Sequence, residues 1–148
     1  MTDFATNPRA RYDYDILETL EAGLALRGYE VKSIKAGRAS IKGAYVRILG
    51  GEAWLVGATI APYQSGNVPA DYREQADRKL LIGRSQLASL VGLAQSHGIS
   101  LVPLRLYAKN GLVKLEVGIG RGKKKYDKRE SIKKKDTARA HMRGTSEE

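Results

Sequence analysis

The chain of 148 residues contains no cysteine, which removes disulfide staples, Cys-rich zinc sites and thiol chemistry at once. It has two histidines, His97 and His141, too far apart to form the spaced pair that holds a metal on a helix face. There is no Gly-rich phosphate cradle and no local signature of a Ser-His-Asp set. The remaining acid–base candidates are neighbouring carboxylates, Asp13 with Asp15 and Glu18 with Glu21, and isolated pairs of this kind seldom mark catalysis. The expectation is a non-enzyme without cofactor or metal, against the alternative of an RNA-processing enzyme built on Asp13, Asp15 and Glu18. No run of about 18 apolar residues occurs, and the first sixteen residues carry neither an apolar signal core nor an amphipathic Arg-rich pattern. A soluble, cytoplasmic protein with no membrane partner is expected.

Acids are the scarcer charge: 16 Asp and Glu against 26 Lys and Arg leave a net +10. The excess is uneven. Residues 121–143 hold eleven basic residues and three acidic ones, whereas residues 1–120 hold fifteen and eleven. Clustered Lys and Arg attract phosphates at long range and release condensed counterions on contact, so a nucleic acid is the expected partner. The basic stretch runs Gly122-Lys123-Lys124-Lys125-Tyr126-Asp127-Lys128-Arg129, continues through Ile132-Lys133-Lys134-Lys135 and Arg139, and ends at Arg143. Its apolar residues Ile132, Ala138, Ala140 and Met142 do not recur at intervals of three and four, so a helix here would lack the apolar face that a membrane surface requires. A solvated, unstructured tail is the ordinary meaning of such a run. Tyr126, an aromatic able to stack on a base between two basic clusters, argues for more.

The preceding residues have the patterning of a folded body. Residues 1–9 are polar, carry the turn signal Asn7-Pro8 and read as a mobile arm. Tyr14 to Leu26 alternates incompletely around Gly23, as in a bent or bulged strand. Gly28 to Ala36 predicts a short helix stopped by Gly37, with Lys32 and Lys35 on one face. Ile41 to Leu49 and Glu52 to Ile60, joined by Gly50-Gly51, predict a hairpin with Trp54 on the core face. Arg78 to Ile82 reads as a short strand, and Leu87, Leu90, Val91 and Ala94 predict an amphipathic helix capped by Ser85 and stopped at Gly98. The period of two through Val113, Leu115, Val117 and Ile119, after an Asn110-Gly111 turn, predicts a half-buried strand paired with residues 100–107, in which Pro103 must sit at an edge or bulge. About six strands with two inserted helices close most easily as a small antiparallel barrel of the oligonucleotide-binding type, with an open α+β sheet as competitor. The expected division is a mainly β barrel domain over 1–120 with an N-terminal arm, and a basic tail over 121–148.

Glu21 invites a reading as a base reader, because a carboxylate is repelled by phosphate and is tolerated on an RNA face where it accepts from exocyclic amines. Beside it stands a pattern that covers nearly the whole chain: Asn7 with Ala10 and Tyr14, Glu21-Ala22-Gly23, Glu30-Val31-Lys32-Ser33, Tyr45, Arg78-Lys79-Leu80-Leu81, Asn110-Gly111, Lys114, Gly122-Lys123-Lys124 and Asp127-Lys128-Arg129. In this order and at these intervals the sequence resembles the SsrA-binding protein (small protein B) family of bacterial trans-translation. The resemblance implies an oligonucleotide-binding-type barrel that binds the tRNA-like domain of transfer-messenger RNA and brings it to stalled ribosomes, with elongation factor Tu an indirect partner on the same RNA. A monomer is expected. It further implies RNA contacts at Asn7, Glu21, Leu81 and Lys114, beside which Arg11, Tyr12, Lys32, Arg78 and Lys79 stand as further candidate contacts. A second set, Gly122, Lys123, Lys124, Tyr126, Asp127, Lys128, Arg129, Ile132, Lys133, Lys134, Lys135 and Arg139, would act in the ribosomal decoding centre and empty message channel, the tail being disordered when free and helical there. The chain departs from the family pattern at Tyr12, where relatives usually have His, and at Ala76, where they have a basic residue. A ribosomal or initiation-type protein on a similar barrel is the alternative of the same broad kind.

Overall fold

A computed structural model describes residues 3–63 and 68–123. The elements run β1 (Asp3–Thr6), α1 (Ala10–Asp13), β2 (Tyr14–Leu24), α2 (Gly28–Lys35), β3 (Ala39–Ser40), β4 (Tyr45–Leu49), β5 (Glu52–Val56), β6 (Thr59–Ile60), β7 (Arg78–Leu81), α3 (Arg84–Ala94), β8 (Ile99–Lys109) and β9 (Leu112–Gly122). Seven strands form one antiparallel sheet in the order β1-β8-β9-β2-β7-β5-β4, and β3 pairs with β6 separately.

The β8–β9 hairpin forms as its alternation dictates. Val113, Leu115, Val117 and Ile119 are buried on one face, and Asn110 and Gly111 turn the chain at φ 53° and 77°. The β4–β5 hairpin turns at Gly50 and Gly51, α2 ends before Gly37, and α3 starts one residue ahead of Ser85, with Gly83 at its N-cap. Pro103 lies next to a register shift, since it has no N–H to give the ladder.

Three expectations change. Residues 3–6 are not a loose arm but an edge strand: Asp3, Ala5 and Thr6 pair with Tyr107, Leu106 and Arg105. Asn7 extends the attachment, donating from its backbone to Leu104 O at 2.9 Å and from Nδ2 to Pro103 O at 3.0 Å. Trp54 is not on the core face. Ala53 and Leu55 point inward and are buried, so Trp54 faces outward between Arg47 and Lys79 on the flanking strands.

Nor is the barrel closed. The edge strand β4 lies alongside β8, but among the described residues no ladder joins them. Part of the free edge of β8 is already bonded to β1, and Pro103 cannot donate. The seam is instead a groove of about 880 Å³, lined by Tyr45, Val46, Leu101, Val102, Ala94 and Asn7 among others.

The inner face of the sheet packs against Ile34 of α2 and Leu90 of α3 around Leu106, Leu115 and Val117. A smaller cluster, Ala10 with Val102, Leu104, Tyr14 and Ile16, places α1 over one end of the outer face. Gly118 makes room there, because a Cβ would stand 3.1 Å from Leu104 and 3.2 Å from Ile16.

α2 and β7 are tied by a buried ion pair. Glu30 Oε2 accepts from Arg78 Nη2 at 2.9 Å and from Nε at 3.2 Å, while its Oε1 accepts from the Arg27 N–H at the helix start. Arg78 Nη1 donates to the carbonyls of Ala58, Glu74 and Ala76, and Tyr72 adds its hydroxyl to Ile60 O. Burial, with the Glu30 carboxylate beside it, pushes the Tyr72 phenol above its ordinary pKa, so it remains a donor. Removing one partner of a buried pair strands the other's charge. Arg78→Ala is therefore expected to lower the unfolding free energy by about 3–5 kcal/mol in urea denaturation, and a loss under about 1 kcal/mol would contradict this account of the pair.

Candidate nucleic-acid interface

The open end of the outer face is organised by one glycine. Gly23 pairs with Leu81 of β7 on one side and with Lys114 of β9 on the other. A Cβ on Gly23 would stand 3.3 Å from Leu81 Cβ and 3.6 Å from Lys114 Nζ, so the bare backbone lets the lysine lie across the strand. Lys114 makes no ion pair among the described residues, and Leu81 is 53% exposed. Two residues before Gly23 on the same face is Glu21, whose two oxygens accept from Lys109 Nζ at 3.0 Å each.

The same face continues into a neutralised zone. Arg105 donates to Asp3 at 2.7 Å and to Glu116 at 3.1 Å, and it stacks 4.2 Å above the Tyr107 ring. The hydrogen bond to Asp3 holds the Arg105 proton more tightly than usual, and burial and Glu21 raise the pKa of the Tyr107 phenol. With these charges spent on one another, the cation left to meet a phosphate in this zone is Lys114, beside a carboxylate at Glu21 that can accept from a base amine. A cation, an acceptor, a bare backbone and an exposed aliphatic side chain within two registers can hold a sugar–phosphate and read a base edge.

The structure thus brings together Glu21, Leu81 and Lys114, with Lys79 two residues before Leu81 on the same face. The remaining candidates lie elsewhere. Arg78 is 3% exposed and its guanidinium is consumed by the pair with Glu30, so it is not on this surface. Asn7 is engaged with β8, and Arg11 and Tyr12 belong to α1, where Arg9 lies 4.7 Å over the Tyr12 ring. Lys32 is exposed on α2, near whose end Lys35 donates to Gly111 O at 3.3 Å. Gly122 is the last residue of β9, paired with Tyr14, and Lys123 donates its N–H to Asp13 O and its Nζ to Arg11 O. Residues 121 and 122 thereby belong to the sheet, and Lys123 is tied to α1 beside it. Lys124, Tyr126, Asp127, Lys128, Arg129, Ile132, Lys133, Lys134, Lys135 and Arg139 lie outside the described residues.

Of the carboxylates named for the enzyme alternative, Asp13 and Glu18 do not converge. Asp13 pairs with Arg9 and lines the seam groove, whereas Glu18 lines a separate groove against α3. Among the described residues no group of three or more metal-binding side chains occurs, and no helix is long and apolar enough to cross a membrane. Sequence reasoning missed Lys109, which fixes Glu21, and Arg105, which locks β1 onto the sheet. In β8 the alternation Arg105, Tyr107, Lys109 was the signal for a polar outer face.

The sequence model described as "SmpB protein" matches residues 4–147. An SsrA-binding protein of Rubrobacter xylanophilus is 49% identical over 148 residues, covering 99% of this chain and 97% of its own. One from Acetivibrio thermocellus is also 49% identical, covering 91% and 87%. Among solved structures, a chain described under "tmRNA-SmpB: a journey to the center of the bacterial ribosome" superposes with a TM-score of 0.66 at 41% identity, covering 86% of this chain and 92% of that one. With relatives this similar aligned over nearly all of its length, the chain belongs to the SmpB family.

Proposed function

We propose that the protein binds the tRNA-like domain of transfer-messenger RNA through the Glu21–Gly23–Leu81–Lys114 face and delivers it to stalled ribosomes for trans-translation. The observation that carries the RNA face is the unpaired Lys114 ammonium lying across Gly23 beside the fixed Glu21 carboxylate. The names of the relatives, SsrA-binding proteins, and the solved tmRNA-SmpB structure concerned with the bacterial ribosome support the same reading. The protein works as a cytoplasmic, non-enzymatic adaptor. Its body is an oligonucleotide-binding-type sheet in which the seam between β4 and β8 replaces the last ladder.

Two interfaces divide the work. The folded body selects the RNA, and the stretch from Gly122 through Asp127-Lys128-Arg129 to Arg139 engages the decoding centre and the vacant message channel. The basic content of that stretch supports the second role, since it can neutralise several ribosomal phosphates at once.

Lys114→Ala is expected to leave the thermal midpoint nearly unchanged, because an unpartnered surface lysine contributes within about ±0.5 kcal/mol. The same variant should weaken binding of the tRNA-like RNA in filter retention and make the slope of log K against log salt shallower by about one. Wild-type affinity in both Lys114→Ala and Glu21→Ala would remove this face from RNA binding. Truncation after Lys123 keeps the whole sheet, so RNA binding should persist while tagging on stalled ribosomes is lost. Full tagging by the truncated chain would overturn the division of labour.

A further inference from the structure

The outer face does not stop at Leu81. One register step back, β7 presents Lys79 directly opposite Trp54 of β5, and Trp54 is directly opposite Arg47 of the edge strand β4. A single aromatic ring therefore stands between two cations in one cross-strand row, joined to the Gly23 row by the short step from Lys79 to Leu81 on β7. On β4 the same face carries Tyr45 and Leu49, which are 49% and 55% exposed.

Three features distinguish this row from ordinary packing. Arg47 is exposed and has no hydrogen bond or ion pair among the described residues. Lys79 is held by Glu52 at 3.3 Å, but both side chains are more than 40% exposed, so solvent screens the pair and a phosphate can replace it. Trp54 is half-buried, and its Nε1 is buried without a partner among the described residues. A buried unpaired N–H carries a desolvation cost that Leu or Phe would avoid at the same position, so filling space does not account for an indole. Among the described residues the cations lying over rings are Arg9 on Tyr12 and Arg105 on Tyr107, and neither flanking cation covers Trp54.

We infer that the RNA-binding face extends across β7 and β5 to β4, with the Trp54 indole as the stacking platform for an unpaired base of the tRNA-like RNA and Arg47 and Lys79 as holders of the phosphates on either side. An aromatic set among cations on an open sheet face is how proteins capture splayed-out bases, because every base offers a π-face and the phosphates lie to its sides. Glu52, two residues before Trp54 on the same face of β5, is already turned to Lys79, which leaves the patch complementary to a polyanion. The inference rests on the function proposed above and names a contact which that reading does not require.

The chain has one tryptophan, so indole emission reports on Trp54 alone. Full-length protein is titrated with the tRNA-like domain of transfer-messenger RNA, with binding followed in parallel by filter retention. The expected result is saturable quenching that tracks the retention curve, and none with a blunt RNA duplex that has no unpaired bases. Trp54→Leu should bind about tenfold more weakly while melting no lower than the wild type. Arg47→Ala, at an exposed unpaired site, should make the salt slope shallower by about one. Retention that saturates with unchanged emission, or wild-type affinity in both variants, overturns the platform and leaves the Glu21–Lys114 face standing. Quenching by ribosomes but not by the isolated RNA also overturns it. If retention shows no binding at all, the proposed function falls together with the platform.

Discussion

At Gly23 the strands β7, β2 and β9 lie side by side, and the absence of a side chain there lets Leu81 and Lys114 approach across the middle strand. Any larger residue would push against Leu81 Cβ from a position that is ladder-bonded on both sides. A similar demand recurs at the other end of β2, where a Cβ on Gly120 would lie 2.5 Å from Asp15 O beside the bulge between Ile16 and Glu18. The two glycines set how β2 and β9 can lie together, and the sheet's outer face follows from that pairing.

The basic residues of the body do different jobs, and their number does not reveal which. Arg78 is spent inside, tying α2 to β7. Arg105 is spent on the surface, fastening β1 through Asp3, and Lys109 is spent in aiming Glu21. Lys114 and Arg47 remain without partners among the described residues. A cation bound to a carboxylate must give up that contact before it meets a phosphate, and a buried one must also leave its site. The outer face thus carries open charge at Lys114 and Arg47, while exposed cations such as Lys32 and Arg84 lie on other elements.

Much of this was legible where one physical signal acted alone. The β8–β9 hairpin followed from strict alternation and Asn110-Gly111, and α2 from its short apolar spacing and Gly37. At Trp54 the pattern misleads because β5 is apolar on both faces: Ala53 and Leu55 alternate with Trp54 and Val56, so periodicity does not choose between them. Arg78 left a usable sign, since it shares its strand face with the buried Leu80, but its partner Glu30 is 48 positions away and only the fold joins them. The closed barrel failed for a similar reason. Whether β8 is free to receive β4 depends on β1 and Pro103 together, a competition among three segments that no local window contains. Of the candidate site, Glu21 stands out by the chemistry of a carboxylate on an RNA face, Leu81 and Lys114 only by family resemblance, and spacing alone does not place the three side by side.

Lys123 is stitched to the backbone of Asp13 and Arg11 at the end of β9 away from Lys114. Between Lys114 and Gly122 the strand is paired on both sides for most of its length, and its rise of about 3.4 Å per residue makes that distance about 27 Å. The strand is therefore a ruler. Whatever is gripped near the hairpin and the point at Lys123 where the strand ends are held a fixed interval apart, so a body docked at the hairpin determines where the chain leaves the sheet.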